Sequence, residues 1–143
     1  MYMSCIQSIR VNIHRYNEIF YLLQQLTYAP HLDNLEFNAL ISSLKPNHHI
    51  YLYIKDNKVL GTITLLIEQK LIHQGQCVGH IEDLVVDKDY NGMGIAKELL
   101  AYAVKISKDN NCYKVILDCD KKLIPFYEKN AFKEKEIQMV QYF

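Results

Sequence analysis

Three carboxylates, a phenol and two glycines carry the chemistry visible in this 143-residue sequence: Glu82, Asp83, Asp118, Tyr127, Gly92 and Gly94. Glu82 and Asp83 interrupt the apolar run VGHIEDLVV, and Asp118 ends a second one, CYKVILD. Burying a charged pair in such a run without partners is costly, so the pair points to work on a polar ligand. A carboxylate there can accept hydrogen bonds from an amine or take its proton. Neighbouring strand residues face opposite sides of a sheet. Either a β-bulge turns both acids toward one pocket, or the two serve different layers. Tyr127 supplies the complementary group. A phenol's ordinary pKa of about 10 exceeds the roughly 8.5 of a thiol, so it stays protonated and can donate to a departing thiolate.

Gly92 and Gly94 lie in DKDYNGMGIAK, between the first apolar run and a segment with helical periodicity. Glycine admits positive φ and lets backbone N–H groups approach a ligand with no Cβ between them. A helix starting there adds free amides and the positive end of its dipole, which suits an anion such as a diphosphate. The spacing excludes two other phosphate loops, G-x-x-x-x-G-K-[ST] and G-x-G-x-x-G. His48, His49 and His80 lack the cysteine or carboxylate spacing of a metal site, and no metal is expected.

These groups need a scaffold. Loose alternation over residues 4–13 predicts an opening strand, and Ile19, Leu22, Leu23 and Leu26 mark a first helix. Asp33 and Glu36 make a capping box for a second helix, with the stripe Phe37, Leu40, Ile41 and Leu44, ended by Lys45-Pro46. Residues 50–55 and 59–68 read as a hairpin around Asp56-Asn57. A turn at Gln74-Gly75 leads into a strand over residues 78–87. Ile95, Leu99, Tyr102, Ala103 and Ile106 define a longer helix that ends near Asn110-Asn111. A strand over 113–119, a short helix with Pro125 in its first turn and a last strand over 138–143 follow. The pattern predicts a single α+β domain over residues 1–143, with a mixed central sheet flanked by helices.

Half the residues are hydrophobic, and 16 basic residues balance 16 acidic ones. Such a neutral chain gives no electrostatic reason to bind nucleic acid, and its tyrosines are too scattered for a stacking platform. Cys5, Cys77, Cys112 and Cys119 form no C-x-x-C pair and read as small buried thiols of a reducing compartment. There is no apolar run of about 18 residues. Arg10, Arg15 and Glu18 already charge the first segment, with no apolar block before them. The expectation is a soluble, cytoplasmic protein with no membrane partner.

Residues 91–96, NGMGIA, resemble the Gln/Arg-x-x-Gly-x-Gly/Ala loop of the GNAT acetyltransferases, with Asn91 where Gln or Arg is usual. GHIED with its apolar triplet, CYKVILDCD, FYEK and the earlier IEQKLIH are similar to the glucosamine-6-phosphate N-acetyltransferases of that superfamily. The resemblance implies the GNAT acyl-CoA N-acyltransferase fold and acetyl-CoA as acetyl donor. It implies that Asn91, Gly92, Met93, Gly94, Ile95, Ala96 and Lys97 hold the donor's diphosphate. Leu84, Val85 and Val86 would pair with the pantetheine arm, and one of their amides would meet the oxyanion. Glu82, Asp83 and Leu84 would bind the sugar around its amine. Asp118 would orient that amine or help to deprotonate it, and Tyr127 would touch the donor and act as general acid. Thr27 falls where the family has a substrate-contacting threonine. Lys70, Leu71, Ile72 and His73 match its Lys-Ile-Ile-His segment of the sugar-phosphate pocket.

A sugar 2-amine is less basic than a lysine amine, so neither a strong dedicated base nor a triad is expected. No acylated enzyme is expected either, and the reaction implied is direct attack in a ternary complex. Its product would be N-acetylglucosamine 6-phosphate, on the way to UDP-N-acetylglucosamine. The resemblance further implies a homodimer whose C-terminal strands cross. Two departures stand out. The end reads QMVQYF where the family often offers a basic residue to the partner's sugar phosphate, and Leu123 replaces a polar residue common before FYEK. Two other readings stay open: a GNAT enzyme for another amine (an unphosphorylated amino sugar, a polyamine or a protein amine), and a non-catalytic acetyl-CoA-binding module.

Overall fold

Asp56 and Asn57 sit at φ 49° and 60°, the left-handed pair of a two-residue hairpin turn whose twist matches its strands. They join β2 (His48–Lys55) to β3 (Lys58–Gln69) in the computed structural model, which describes residues 5–143. Outside β2 lies β1 (Ile6–Ser8); beyond β3 come β4 (Cys77–Val86) and β5 (Cys112–Ile116), giving the order β1-β2-β3-β4-β5. Neighbours are antiparallel except β4 and β5. Those two run parallel because α3 (Ile95–Asp109) carries the chain back between them. Helices α1 (Tyr16–Leu23) and α2 (Asn34–Ser43) separate β1 from β2, and α4 (Ile124–Lys129) follows β5. This is the α+β architecture expected, a mixed sheet flanked by helices.

Each sheet face has its own core. On one, Ile95, Leu99, Leu100 and Ala103 of α3 pack with Ile63, Leu65, Ile67 and Ile81. On the other, Ile19, Phe20 and Leu22 of α1 and Phe37 and Ile41 of α2 pack with Leu52, Val59 and Val85. The α3 layer is close. A Cβ at Gly61 would lie 2.9 Å from Leu99 Cδ1, and one at Gly79 would lie 2.5 Å from Ser107 Oγ. Glycine at both positions lets the helix settle onto the strands.

The capping box at Asp33 and Glu36 is complete, each side chain meeting the other's backbone N–H. The hairpin strands run slightly longer than their patterns, and other elements run shorter. The opening strand stops at Ser8, whose Oγ accepts from the Arg10 N–H and so favours a local turn over the ladder; Ser4 lies outside the described residues. Helix α1 ends at Leu23, leaving Leu26 beyond it, and Leu40 faces solvent. Residues 132–143 form no strand, contrary to expectation. A strand needs a neighbour to satisfy its backbone, and this segment pairs with none among the described residues. Ile137, Met139, Val140, Tyr142 and Phe143 are accordingly exposed.

Candidate active site

Strands β3 and β4 fall out of step once. Thr64 pairs with Glu82 and Thr62 with Val85, so Ile63 faces both Asp83 and Leu84. This is a β-bulge, and Asp83 takes a left-handed φ of 50°, a conformation that aspartate adopts more readily than most residues. Before the bulge, Glu82 shares a face with Thr64, Leu66 and His80. After it, Val85 points into the core beneath α1. The additional residue leaves both Glu82 and Asp83 exposed, where regular alternation would have sent one toward the core.

Strands β4 and β5 then separate. Their parallel pairing runs from Cys77/Cys112 to His80/Ile116 and stops, while β4 continues to Val86. The Asp87 N–H donates to Leu60 O on β3. By alternation, the Leu84 and Val86 amides face the opened edge and the Val85 amide faces β3. Of the three amides expected at the gap, two point into it.

Asp118 and Cys119 lie where the chain leaves β5, and α4 brings Tyr127 to them. Partial desolvation of the otherwise exposed carboxyl, and then the charges of Asp118 and Asp83, push Glu82 above its ordinary range, with His80 opposing. Burial, then Cys119 and Asp118, push the Tyr127 phenol up. Asp118 acts on both, so Glu82, Asp83, Asp118 and Tyr127 form one cluster. Edge contacts to Phe126 at 5.0 Å and Phe132 at 5.9 Å hold the Tyr127 ring. The arrangement sets proton-accepting carboxylates beside a phenol that keeps its proton.

The glycine loop lies at the start of α3. Gly92 and Gly94 have φ of 79° and 80°, and a Cβ on either would meet nothing within 4 Å. Glycine is required there for backbone conformation, and the space beside it stays open. Gly94 is the N-cap of α3, and no side chain caps the helix. The first-turn amides of Ile95, Ala96 and Lys97 are thus available to an anion, with exposed Asn91 and Met93 completing the loop. Asp87 shapes the approach by accepting from the Asp89 N–H, and Gln25 Oε1 accepts from the Lys88 N–H at 2.9 Å. These residues fit a diphosphate.

The remaining predicted residues are dispersed. Thr27 is exposed just beyond α1, its N–H bonded to Leu23 O. Leu71 and Ile72 are exposed between β3 and β4, and His73 stacks on Tyr113 with ring centroids 4.0 Å apart. At about 3.3 Å per residue, the start of β4 lies roughly 16 Å from Glu82. Leu71, Ile72 and His73 are therefore not gathered with the acids of their own chain. Lys70 is better connected. Its Nζ lies 2.8 Å from Glu68 Oε1, and Glu68 Oε2 lies 2.7 Å from His80 Nε2. Sequence alone marks neither Glu68 nor His80, because only the β3–β4 register puts positions 68, 80 and 82 on one face. Among the described residues, no group of three or more His, Cys, Asp or Glu side chains could hold a metal, and no helix is long and apolar enough to cross a membrane.

The splayed parallel edge, the glycine loop ahead of α3 and the acids beside the gap define an acyl-CoA-dependent transferase. Residues 14–132 match the acetyltransferase (GNAT) family, and the chain belongs to it. More particularly, a glucosamine 6-phosphate N-acetyltransferase of Trypanosoma brucei brucei is 40% identical over 122 residues, 82% of each chain. Its counterpart in Candida albicans is 36% identical over 128 residues, covering 87% of this chain and 86% of that one. The crystal structure of the Arabidopsis thaliana glucosamine-6-phosphate N-acetyltransferase superposes with a TM-score of 0.90 at 31% identity, covering 96% and 97% of the two chains.

Proposed function

We propose that this chain, as one domain over residues 1–143, transfers the acetyl group of acetyl-CoA to the 2-amine of glucosamine 6-phosphate. The observation that carries this reading is the meeting of an acid cluster and a phenol donor at the mouth of the splayed β4–β5 edge. Relatives named for this activity, 34–40% identical over most of the chain, support the acceptor.

Acetyl-CoA supplies the thioester, and residues 91–97 and the Leu84–Val86 edge would hold its diphosphate and pantetheine arm. Glu82 and Asp83 hold the amine and a neighbouring hydroxyl. Asp118 orients the amine and accepts its proton, directly or through water. The Leu84 or Val86 N–H donates to the developing oxyanion, and the Tyr127 hydroxyl gives its proton to the leaving sulfur. Burial, then Asp118, Asp120 and Glu134, push the nearby Cys119 thiol up, which keeps it protonated and a poor nucleophile. That favours direct attack over an acylated enzyme.

A homodimer would employ parts that the single chain leaves idle. The apolar tail over residues 137–143 would gain a strand neighbour, and Leu71, Ile72 and His73 would reach the acceptor site of the second copy. A cytoplasmic location fits Cys77, Cys112 and Cys119 as thiols. One observation favours a second reading: the tail Gln138-Met139-Val140-Gln141-Tyr142-Phe143 brings no cation to a phosphate, which would suit unphosphorylated glucosamine. Thiol release measured over glucosamine 6-phosphate, glucosamine, spermidine and a lysine peptide decides between them. The highest kcat/KM is expected with glucosamine 6-phosphate; a preference for any other amine refutes the assignment.

A further inference from the structure

The role of Glu68 remains. Its carboxylate bridges two cation-capable groups, Lys70 through Oε1 at 2.8 Å and His80 through Oε2 at 2.7 Å. His80 lies two residues from Glu82, and Leu66 and Ile116, its register partners on either side, are 37% and 40% exposed, so this face of the sheet is open to a ligand. The main chain at Lys70 is pinned as well. Gln69 Nε2 donates to Lys70 O at 2.9 Å and to Gly75 O at 2.7 Å, closing the turn beneath it. A lysine following the last residue of a strand would ordinarily wander, and ordering its long side chain opposes ligand binding. Here its backbone and its ammonium are both fixed before any ligand arrives. The ammonium has three protons. One is engaged by Glu68 and two remain for an anion.

We propose that Glu68 is a positioning residue for acceptor recognition: it holds Lys70 beside His80 on the open face so that an already ordered ammonium meets the acceptor's phosphate. This rests on the reading of the acceptor as a phosphorylated amino sugar. The opposite effect is physically conceivable, since a carboxylate near a phosphate repels it, and the two differ in sign. Pre-organisation requires that losing Glu68 weaken the preference for the phosphate; repulsion requires that it strengthen it.

The test is steady-state kinetics of the full chain with glucosamine 6-phosphate and with glucosamine, for wild type, Glu68→Gln, Lys70→Met and the double variant. Glu68→Gln should lower the ratio of kcat/KM for glucosamine 6-phosphate to that for glucosamine about five-fold, the scale of an exposed charge pair. It should lower it no further in the Lys70→Met background, because Glu68 acts through Lys70. Glu68→Asp, which keeps the charge on a shorter arm, should recover part of the ratio. An unchanged or increased ratio in Glu68→Gln, or effects that simply multiply in the double variant, would overturn the proposal. A wild-type enzyme that prefers glucosamine would overturn the acceptor assignment and this proposal together; a wild type that prefers the phosphate alongside an unaffected Glu68→Gln would overturn this proposal alone.

Discussion

Gly79→Ala tests how much stability depends on the close seating of α3 on the sheet. The new Cβ would stand 2.5 Å from Ser107 Oγ, 3.2 Å from Ser107 Cβ and 3.3 Å from Leu65 Cδ1. Ser107 is fully buried, and its hydroxyl donates to Ala103 O at 2.8 Å. Turning the hydroxyl away would break that bond inside the core, so the strand and helix must part instead. Overpacking of this kind costs about 1–3 kcal/mol. For a chain of this length that corresponds to a fall of about 3–10 °C in Tm. Ser107→Ala alone should be nearly neutral, because a serine bonding back to its own helix adds little. Combined, the two substitutions should recover most of the loss, since the 2.5 Å contact disappears and only the longer contacts remain. Thermal unfolding of the four proteins reads this coupling directly. Gly79→Ala with a wild-type Tm, or a double variant no better than Gly79→Ala, would refute the reasoning.

Tyr127→Phe should lower kcat by about 10²-fold or more, the usual contribution of a positioned acid, while the KM for acetyl-CoA stays within a factor of about two. Because burial and then Cys119 and Asp118 raise the phenol, its ionisation lies above its usual value near 10, so wild-type kcat should show no loss from this group below about pH 10. A basic limb that falls earlier and vanishes in Tyr127→Phe would contradict this. Gly94→Ala meets no clash but must hold φ near 80°, a strain of about 1–2 kcal/mol. It should raise the KM for acetyl-CoA and leave kcat at saturation intact; unchanged KM would remove the loop from the donor site.

The elements with local causes were legible in the sequence. Asp33 with Glu36, Asp56-Asn57 and Pro125 each act through their own backbone, and each appears as read. The glycine turn ahead of α3 was legible for the same reason, since Gly92 and Gly94 are chosen by φ. What depends on pairing was not legible. The tail over residues 138–143 has strand composition but no strand partner among the described residues, and the strand expected over residues 113–119 ends at Ile116, where its neighbour diverges. Glu68 and His80 are 12 residues apart and meet only because β3 and β4 place Leu66 opposite His80.

The bulge explains why the sequence left three candidate amides at the gap. The Ile67 N–H turns toward Asn47, so on β3 the amides of residues 62, 64, 66 and 68 face β4. Thr64 pairs with Glu82, which directs the Glu82 amide toward β3 and, in a regular strand, would direct those of Leu84 and Val86 the same way. Inserting Asp83–Leu84 opposite Ile63 inverts the alternation: Val85 and Asp87 bond to β3, and Leu84 and Val86 turn to the opened edge. The same inversion keeps Asp83 out of the core and sends the Val85 side chain beneath α1. Exposure of the second acid, direction of the donor amides and anchoring of α1 thus follow from one additional residue. A strand of identical composition without it would surrender all three together.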